Sequence, residues 1–267
     1  MNLDDISTQL LFTTVPVWVL RTDEKQSSGT GFILSLPIPG VDNQQLPLLV
    51  TNAHVVRGAH RGLIDLVERE GQGPKRGGRL RVEIDGAALT TFMDEANDLA
   101  IIPIGGLLNE LENSGRPVFF RSVSPDLIAN DDVIADLAAL EEVTFIGYPS
   151  GLYDEHNVAP ITRKGITATP PWNDFQGQPA FLIDAGVFPG SSGSPVFIFN
   201  QGAYATRGGL TVGSRLLFMG VLTEAILRTE KDVPPVFLGI GRVTKASRLR
   251  QFAEQVRAKL APAGNAG

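Results

Sequence analysis

The chain predicts an all-β fold, and three observations carry the prediction: apolar pieces of strand length recur at short intervals, turn formers separate them, and helical periodicity is confined to a few segments. VPVWVL (15 to 20), TGFILSL (30 to 36) and LPLLVTNAHVV (46 to 56) come first, and LRVEIDG (80 to 86) alternates apolar with polar residues. LAIIPI, VTFIGYP, KGITATP, AFLIDAGV, SPVFIF and LLFMGVLTEAI continue the rhythm. Runs of β-branched and aromatic residues bounded by Gly, Pro, Asn or Asp are strand signals. Without helices between them they build a barrel or sandwich rather than βαβ units.

The exceptions come in order along the chain. The first ten residues read as a short helical or frayed segment, and EREGQGPKRGG (68 to 78) as an exposed mobile loop. LLNELENSG (107 to 115) and DLIANDDVIADLAALEE (126 to 142) suit one or two surface helices. Residues 243 to 261 place Leu249, Phe252, Val256 and Leu260 on one face at helical spacing, which predicts an amphipathic helix packed on the body. The small polar tail 262 to 267 predicts disorder.

Composition excludes several classes of function. With 267 residues, 43% hydrophobic content, 19% charge and a net charge of -6, the chain has no basic excess for a nucleic-acid backbone. It has no cysteine, so disulfides, thiolate catalysis and zinc-thiolate sites are out. No run reaches the roughly 18 apolar residues of a membrane span. The stretch MNLDDISTQLL carries acids where a secretory leader carries basic residues, so a cytoplasmic location is expected.

Three features hold candidate chemistry. Of the three histidines, His54 stands directly after an apolar strand in LLVTNAHVV, while His60 and His156 lie in polar surroundings that predict surface positions. Asp98 immediately precedes the apolar strand LAIIPI. FPGSSGSPVF (188 to 197) packs serines, glycines and prolines into a turn between strands. Taken singly, the histidine and the aspartate are ordinary strand-end residues and the serines are turn residues. Their order along an all-β chain, His54, then Asp98, then the serine cluster, gives them a joint meaning.

That order is the chymotrypsin order, and the motifs resemble those of trypsin-like serine proteases. TNAHVV is similar to the histidine motif, NDLAIIPI to the aspartate motif, and GSSGSP (190 to 195) to the Gly-x-Ser-Gly-Gly-Pro nucleophile motif, with Ser194 in place of its last glycine. IDAGVFPGSSGSPV, FIGYPSGL, ITRKGITA and GTGFIL resemble segments of the HtrA-type branch, so that the likeness runs from about residue 15 to 250. An α/β-hydrolase order fails because no histidine follows Ser192.

The resemblance implies two six-stranded β-barrels of chymotrypsin type, about 12 to 105 and 116 to 245, with the active site between them, together forming a protease domain over 1 to 250. It implies Ser192 as nucleophile, His54 as general base and then acid, and Asp98 as the group that orients the imidazole. The amides of Gly190 and Ser192 become the oxyanion hole. Substrate would meet Gly186 at the pocket floor with Val187 beside it, the strand Thr223, Glu224 and Ala225, and Gly239 and Gly241 opposite. Small walls and no carboxylate at Gly186 imply cleavage after small or medium aliphatic residues rather than Lys or Arg.

Ser191 stands where trypsin-like zymogens carry an aspartate that pairs with a new N-terminal amine, so activation by N-terminal trimming is not expected. HtrA-type enzymes carry PDZ domains after the protease, and none is expected within this sequence. The implied partners are a protein or peptide substrate and a regulatory protein; neither cofactor nor metal is implied. Two other readings stay open at this point: a latent protease-fold interaction module, and an esterase using the same triad.

Overall fold

The structure, a computed structural model, describes residues 1 to 41, 43 to 206, 209 to 230 and 233 to 260. A short helix α1 (Ile6–Leu10), capped by the Asp5 carboxylate on Thr8 N-H at 2.9 Å, leads into the first sheet. Its strands are β1 (Thr14–Arg21), β2 (Gln26–Pro37), β3 (Gln45–Thr51), β4 (Ala59–Glu70), β5 (Gly73–Asp85), β6 (Met93–Asp94), β7 (Leu99–Pro103) and β8 (Val118–Phe119). They pair in the order β5-β4-β1-β2-β3-β7-β6, with β8 added on β4.

The second sheet consists of β9 (Glu142–Gly147), β10 (Ile161–Thr167), β11 (Ala180–Asp184), β12 (Pro195–Thr206), β13 (Gly209–Glu230) and β14 (Val233–Lys245). It closes into a barrel in the order β10-β11-β14-β13-β12-β9. The expected two-barrel architecture is present, with one difference: the first sheet has eight strands, two of them only two residues long, and its ends are not joined by hydrogen bonds.

Burial explains why β2 does not alternate. Residues 29 to 36 are buried throughout because the strand is covered on both faces. Ile33 packs into the first-sheet core with Val17 and Leu49. Phe32, Leu34 and Leu36 enter a second core shared with Phe197 and Phe218 of the other barrel. A strand covered on both faces reads as a continuous apolar run. The helix at the end of the chain, α2 (Ala246–Leu260), buries Leu249, Phe252 and Val256 in this shared core as its periodicity predicts. Leu260 is 39% exposed, one turn beyond the contact. The tail 262 to 267 lies outside the described residues.

The segment 68 to 78 differs from its expectation. Polar composition suggested a loop, yet β4 continues to Glu70 and β5 restarts at Gly73, with Glu70 paired to Gly73 across a tight turn. Gly71 takes φ +59°, the left-handed conformation that such a turn needs and glycine allows. The strands stay polar there because they face water. The first of the expected surface helices is present two residues earlier, at Gly105–Asn113, whereas the segment 126 to 142 holds only one turn of 3-10 helix at Pro125–Leu127 and a short helix at Asp131–Asp136.

One charged cluster ties the two halves together. The Asp65 side chain on β4 is fully buried; it accepts from Arg81 Nε at 2.7 Å, Arg81 Nη2 at 3.0 Å and the Tyr153 hydroxyl at 2.9 Å. Arg81 also lies over the Trp18 ring, 4.7 Å from its centroid. Burial, and then the Asp65 carboxylate accepting its proton, raise the pKa of the Tyr153 hydroxyl. Among the described residues, no helix is long and apolar enough to cross a membrane.

Asp65→Ala is expected to lower stability by about 2 to 3 kcal/mol, below the range for a fully buried pair because Arg81 stays half in water while Tyr153 loses its acceptor. Urea unfolding monitored by tryptophan fluorescence measures it. A loss under about 0.5 kcal/mol, the range of an ordinary surface change, would show that the cluster does not couple the halves.

Candidate active site

His54 sits in a single helical turn, Ala53–Val56, that caps the end of β3. Its backbone N-H donates to Asp98 Oδ1 at 2.9 Å, and its Nδ1 lies 2.7 Å from Asp98 Oδ2. A carboxylate at that distance fixes the tautomer: Nδ1 carries the proton and Nε2 keeps a free lone pair. Arg21 Nη2 holds the His54 carbonyl at 2.9 Å, and Asn52 Nδ2 holds the Asp98 carbonyl at 2.8 Å.

Asp98 reaches the imidazole through an unusual backbone. Its φ is +52°, in the left-handed region that few side chains tolerate, aspartate being one of those that do. The β7 strand begins at the next residue, so this one strained position turns the chain from the loop into the sheet and aims the carboxylate at His54.

Ser192 lies in the turn between β11 and β12 and shares one cleft of about 540 Å³ with His54 and Asp98. Its hydroxyl donates to Thr223 O at 3.2 Å, and among the hydrogen bonds of the described residues none joins it to His54. The turn itself is tightly specified. Gly190 and Gly193 have φ of +86° and +89°, and a Cβ on Gly190 would come within 2.6 Å of Tyr148 O and 2.8 Å of Ser150 N. Ser191 is 1% exposed, a buried hydroxyl where a zymogen would keep a carboxylate.

Peptide planarity orients the turn's amides. Pro189 O accepts from Ser150 N at 2.5 Å and Ser191 O accepts from Ser194 N at 3.1 Å. All peptide bonds of the described residues are trans, so the N-H groups of Gly190 and Ser192 point opposite to those carbonyls. Among the described backbone bonds neither amide is engaged. Two unengaged donors beside a serine hydroxyl can receive the oxygen of a polarised carbonyl.

Thr223, Glu224 and Ala225 on β13 line the cleft, with Arg242, the register partner of Glu224, on β14. Gly186, Val187, Gly239 and Gly241 do not line it. Val187 is 2% exposed in the barrel core, and Gly241 faces the side chains of Val187, Leu222 and Ile183. The open side of Gly186 is taken by the Arg163 guanidinium, which stacks on the Phe188 ring at 4.9 Å. Phe188, Leu227 and Phe237, which line the cleft and were not read from the sequence, give it an apolar shelf. Their apolar character signalled strand or core, and only the hairpin's projection leaves them about 40% exposed. His60 and His156 are exposed and outside the cleft. Among the described residues no group of three or more His, Cys, Asp or Glu side chains is placed to hold a metal.

Comparison with known proteins places this geometry. A family model described as a trypsin-like peptidase domain matches residues 29 to 204. A probable periplasmic DegP-like serine endoprotease of Halomonas elongata is 28% identical over 177 residues, which are 66% of this chain and 28% of that protein. The chain thus spans little more than a quarter of this curated relative. The fold is shared with the HtrA-type protease AlgW solved with a tripeptide, at TM-score 0.57 and 16% identity over 97% of this chain and 64% of that one. A serine endoprotease from Yersinia pestis superposes at TM-score 0.54 and 17% identity, over 97% and 67% of the two chains. The expectation of a cytoplasmic location is overturned here, because the curated relative is periplasmic. With its family model covering the span from β2 to β12, the chain belongs to the trypsin-like peptidase domain family.

Proposed function

We propose that the chain is a serine endopeptidase in which Ser192, His54 and Asp98 form the catalytic triad. The observation that carries this reading is the 2.7 Å His54–Asp98 bond opening on the same cleft as Ser192. His54 Nε2 takes the Ser192 proton as Oγ attacks the substrate carbonyl. The oxyanion of the tetrahedral intermediate rests on the Gly190 and Ser192 amides, and His54 then returns the proton to the leaving amine, leaving an acyl-enzyme that water hydrolyses. Asp98 stays ionised and holds the imidazolium. The hydroxyl of Ser192 first rotates off Thr223 O, so the described state is a resting one.

Substrate is a peptide or protein in extended form, pairing as an added strand along residues 223 to 225. HtrA-type proteases solved with a tripeptide and with a decapeptide support a peptide or protein as the substrate. Val187 filling the space before Gly241 supports a shallow primary pocket for small or medium aliphatic side chains. A protein partner that selects substrate or releases the resting state completes the reading, and the periplasmic relative supports a location in the cell envelope.

A fluorophosphonate probe is expected to label Ser192, with labelling lost in Ser192→Ala and His54→Ala. Labelling that persists in Ser192→Ala would sink the assignment. Asp98→Asn is expected to lower kcat by about 10⁴-fold by reversing the tautomer. Peptide-library profiling should give cleavage after Ala, Val or similar residues, and strict cleavage after Lys or Arg would refute the shallow pocket.

A further inference from the structure

Thr30 belongs to β2 of the first sheet, yet its polar atoms are engaged by the nucleophile turn of the second barrel. Its N-H donates to Ser192 O at 2.7 Å, and its hydroxyl donates to Gly190 O at 2.9 Å. The same hydroxyl accepts from Tyr148 N at 3.0 Å, and Thr51 Oγ1 donates to the Thr30 carbonyl at 2.7 Å. Thr30 is 0% exposed. The place of the hydroxyl proton is forced by its neighbours. An amide N-H can only donate and a carbonyl can only accept, so the proton lies toward Gly190.

These bonds grip both ends of the tripeptide 190 to 192. Its first carbonyl, of Gly190, is held by the Thr30 hydroxyl, and its last, of Ser192, by the Thr30 amide. The unengaged Ser192 N-H lies between them, and the unengaged Gly190 N-H belongs to the peptide just before the first. Gly190, at φ +86°, has no side chain to resist rotation, so something outside the turn must hold its peptide planes. Ser150 N holds the plane before it through Pro189 O, and Thr30 holds the plane after it. The neighbouring strand has made room for the grip, since a Cβ on Gly147 would come within 2.6 Å of Thr30 Oγ1.

We propose that Thr30 is a positioning residue whose hydroxyl, by holding the Gly190–Ser191 peptide that joins the two planes carrying the Gly190 and Ser192 N-H groups, keeps those donors in the orientation that stabilises the oxyanion. The proposal rests on the Ser192 reading above. Valine has nearly the shape of threonine but would leave Tyr148 N-H and Gly190 C=O without partners in a dry interior. The turn then relieves that cost by rotating Gly190, which misaims the donor while leaving the walls of the cleft and the Ser192 hydroxyl in place.

The test is steady-state hydrolysis of a chromogenic peptide ending in an aliphatic residue, with active enzyme counted by fluorophosphonate titration. Thr30→Val is expected to lower kcat by about 10- to 10²-fold, up to the loss of one oxyanion donor, with KM within about twofold. A peptide aldehyde, whose hemiacetal oxygen occupies the oxyanion position, should lose affinity by a similar factor. Thr30→Ser keeps the hydroxyl and should recover most of kcat. A merely structural role would lower the amount of titratable enzyme or its melting point and leave kcat per titrated site unchanged.

Parent-like kcat in Thr30→Val overturns the proposal, as does an equal loss of kcat in the valine and serine variants. If the valine variant does not fold, Thr30→Cys, similar in size with a weak S-H donor, should give an intermediate kcat, and a parent value would overturn the proposal. A parent without activity, or an active Ser192→Ala, overturns the triad reading together with this one. An active parent with an inactive Ser192→Ala and an unaffected Thr30→Val overturns only the role of Thr30.

Discussion

The cleft depends on a seam, the line along which β2 of the first sheet presses on the turn 188 to 194 of the second barrel. That seam is dry: Thr30, Thr51 and Ser194 are fully buried beside Phe32 and Val50. In such a place a backbone polar group without a partner costs about 1 to 3 kcal/mol. The hydrogen bonds across the seam are therefore a condition of assembling the two halves, and the geometry of the proposed site is made from the same bonds. The turn cannot drift without breaking contacts that hold the molecule together.

The two partners of the proposed triad in the first sheet are constrained differently. His54 and Asp98 sit in adjacent connections at the end of one sheet, and the Asp98 carboxylate holds His54 at both its backbone N-H and its ring. The left-handed backbone of Asp98 is tolerable because both its carboxylate oxygens and its carbonyl are engaged. Ser192 comes from the opposite half, and its hydroxyl is the one element of the constellation bonded elsewhere, to Thr223 O. Rigid supports with one rotatable group suit a site that can wait for substrate before its last hydrogen bond forms.

Much of the fold was legible because strand signals are local. Apolar runs of the right length between turn formers marked most of the strands, though not the long β4 and β14, and the period of the last helix named the residues that are buried, Leu249, Phe252 and Val256. The reading failed where local chemistry misleads. Polar residues 68 to 78 form a hairpin because Gly71 permits the turn and water accepts the side chains. Phe188, Leu227 and Phe237 looked like core but stand on a hairpin and on a turn that project past the barrel.

The site divides along the same line. Residue type and order by themselves determined which side chains belong together: a histidine after a strand, an aspartate before one, and a serine between glycines able to take positive φ. Which atoms face the cleft was decided by tertiary structure alone. Val187, Gly239 and Gly241 were assigned to the pocket by resemblance, but their direction depends on how the barrel closes, and it turns them away from the cleft. Thr30 is distant from Ser192 in sequence and unremarkable in its strand, and its contact with the nucleophile turn exists only once two separately coded sheets meet. Local sequence encodes conformation one segment at a time, whereas the aim of an amide or hydroxyl at a common point is a property of the packed whole.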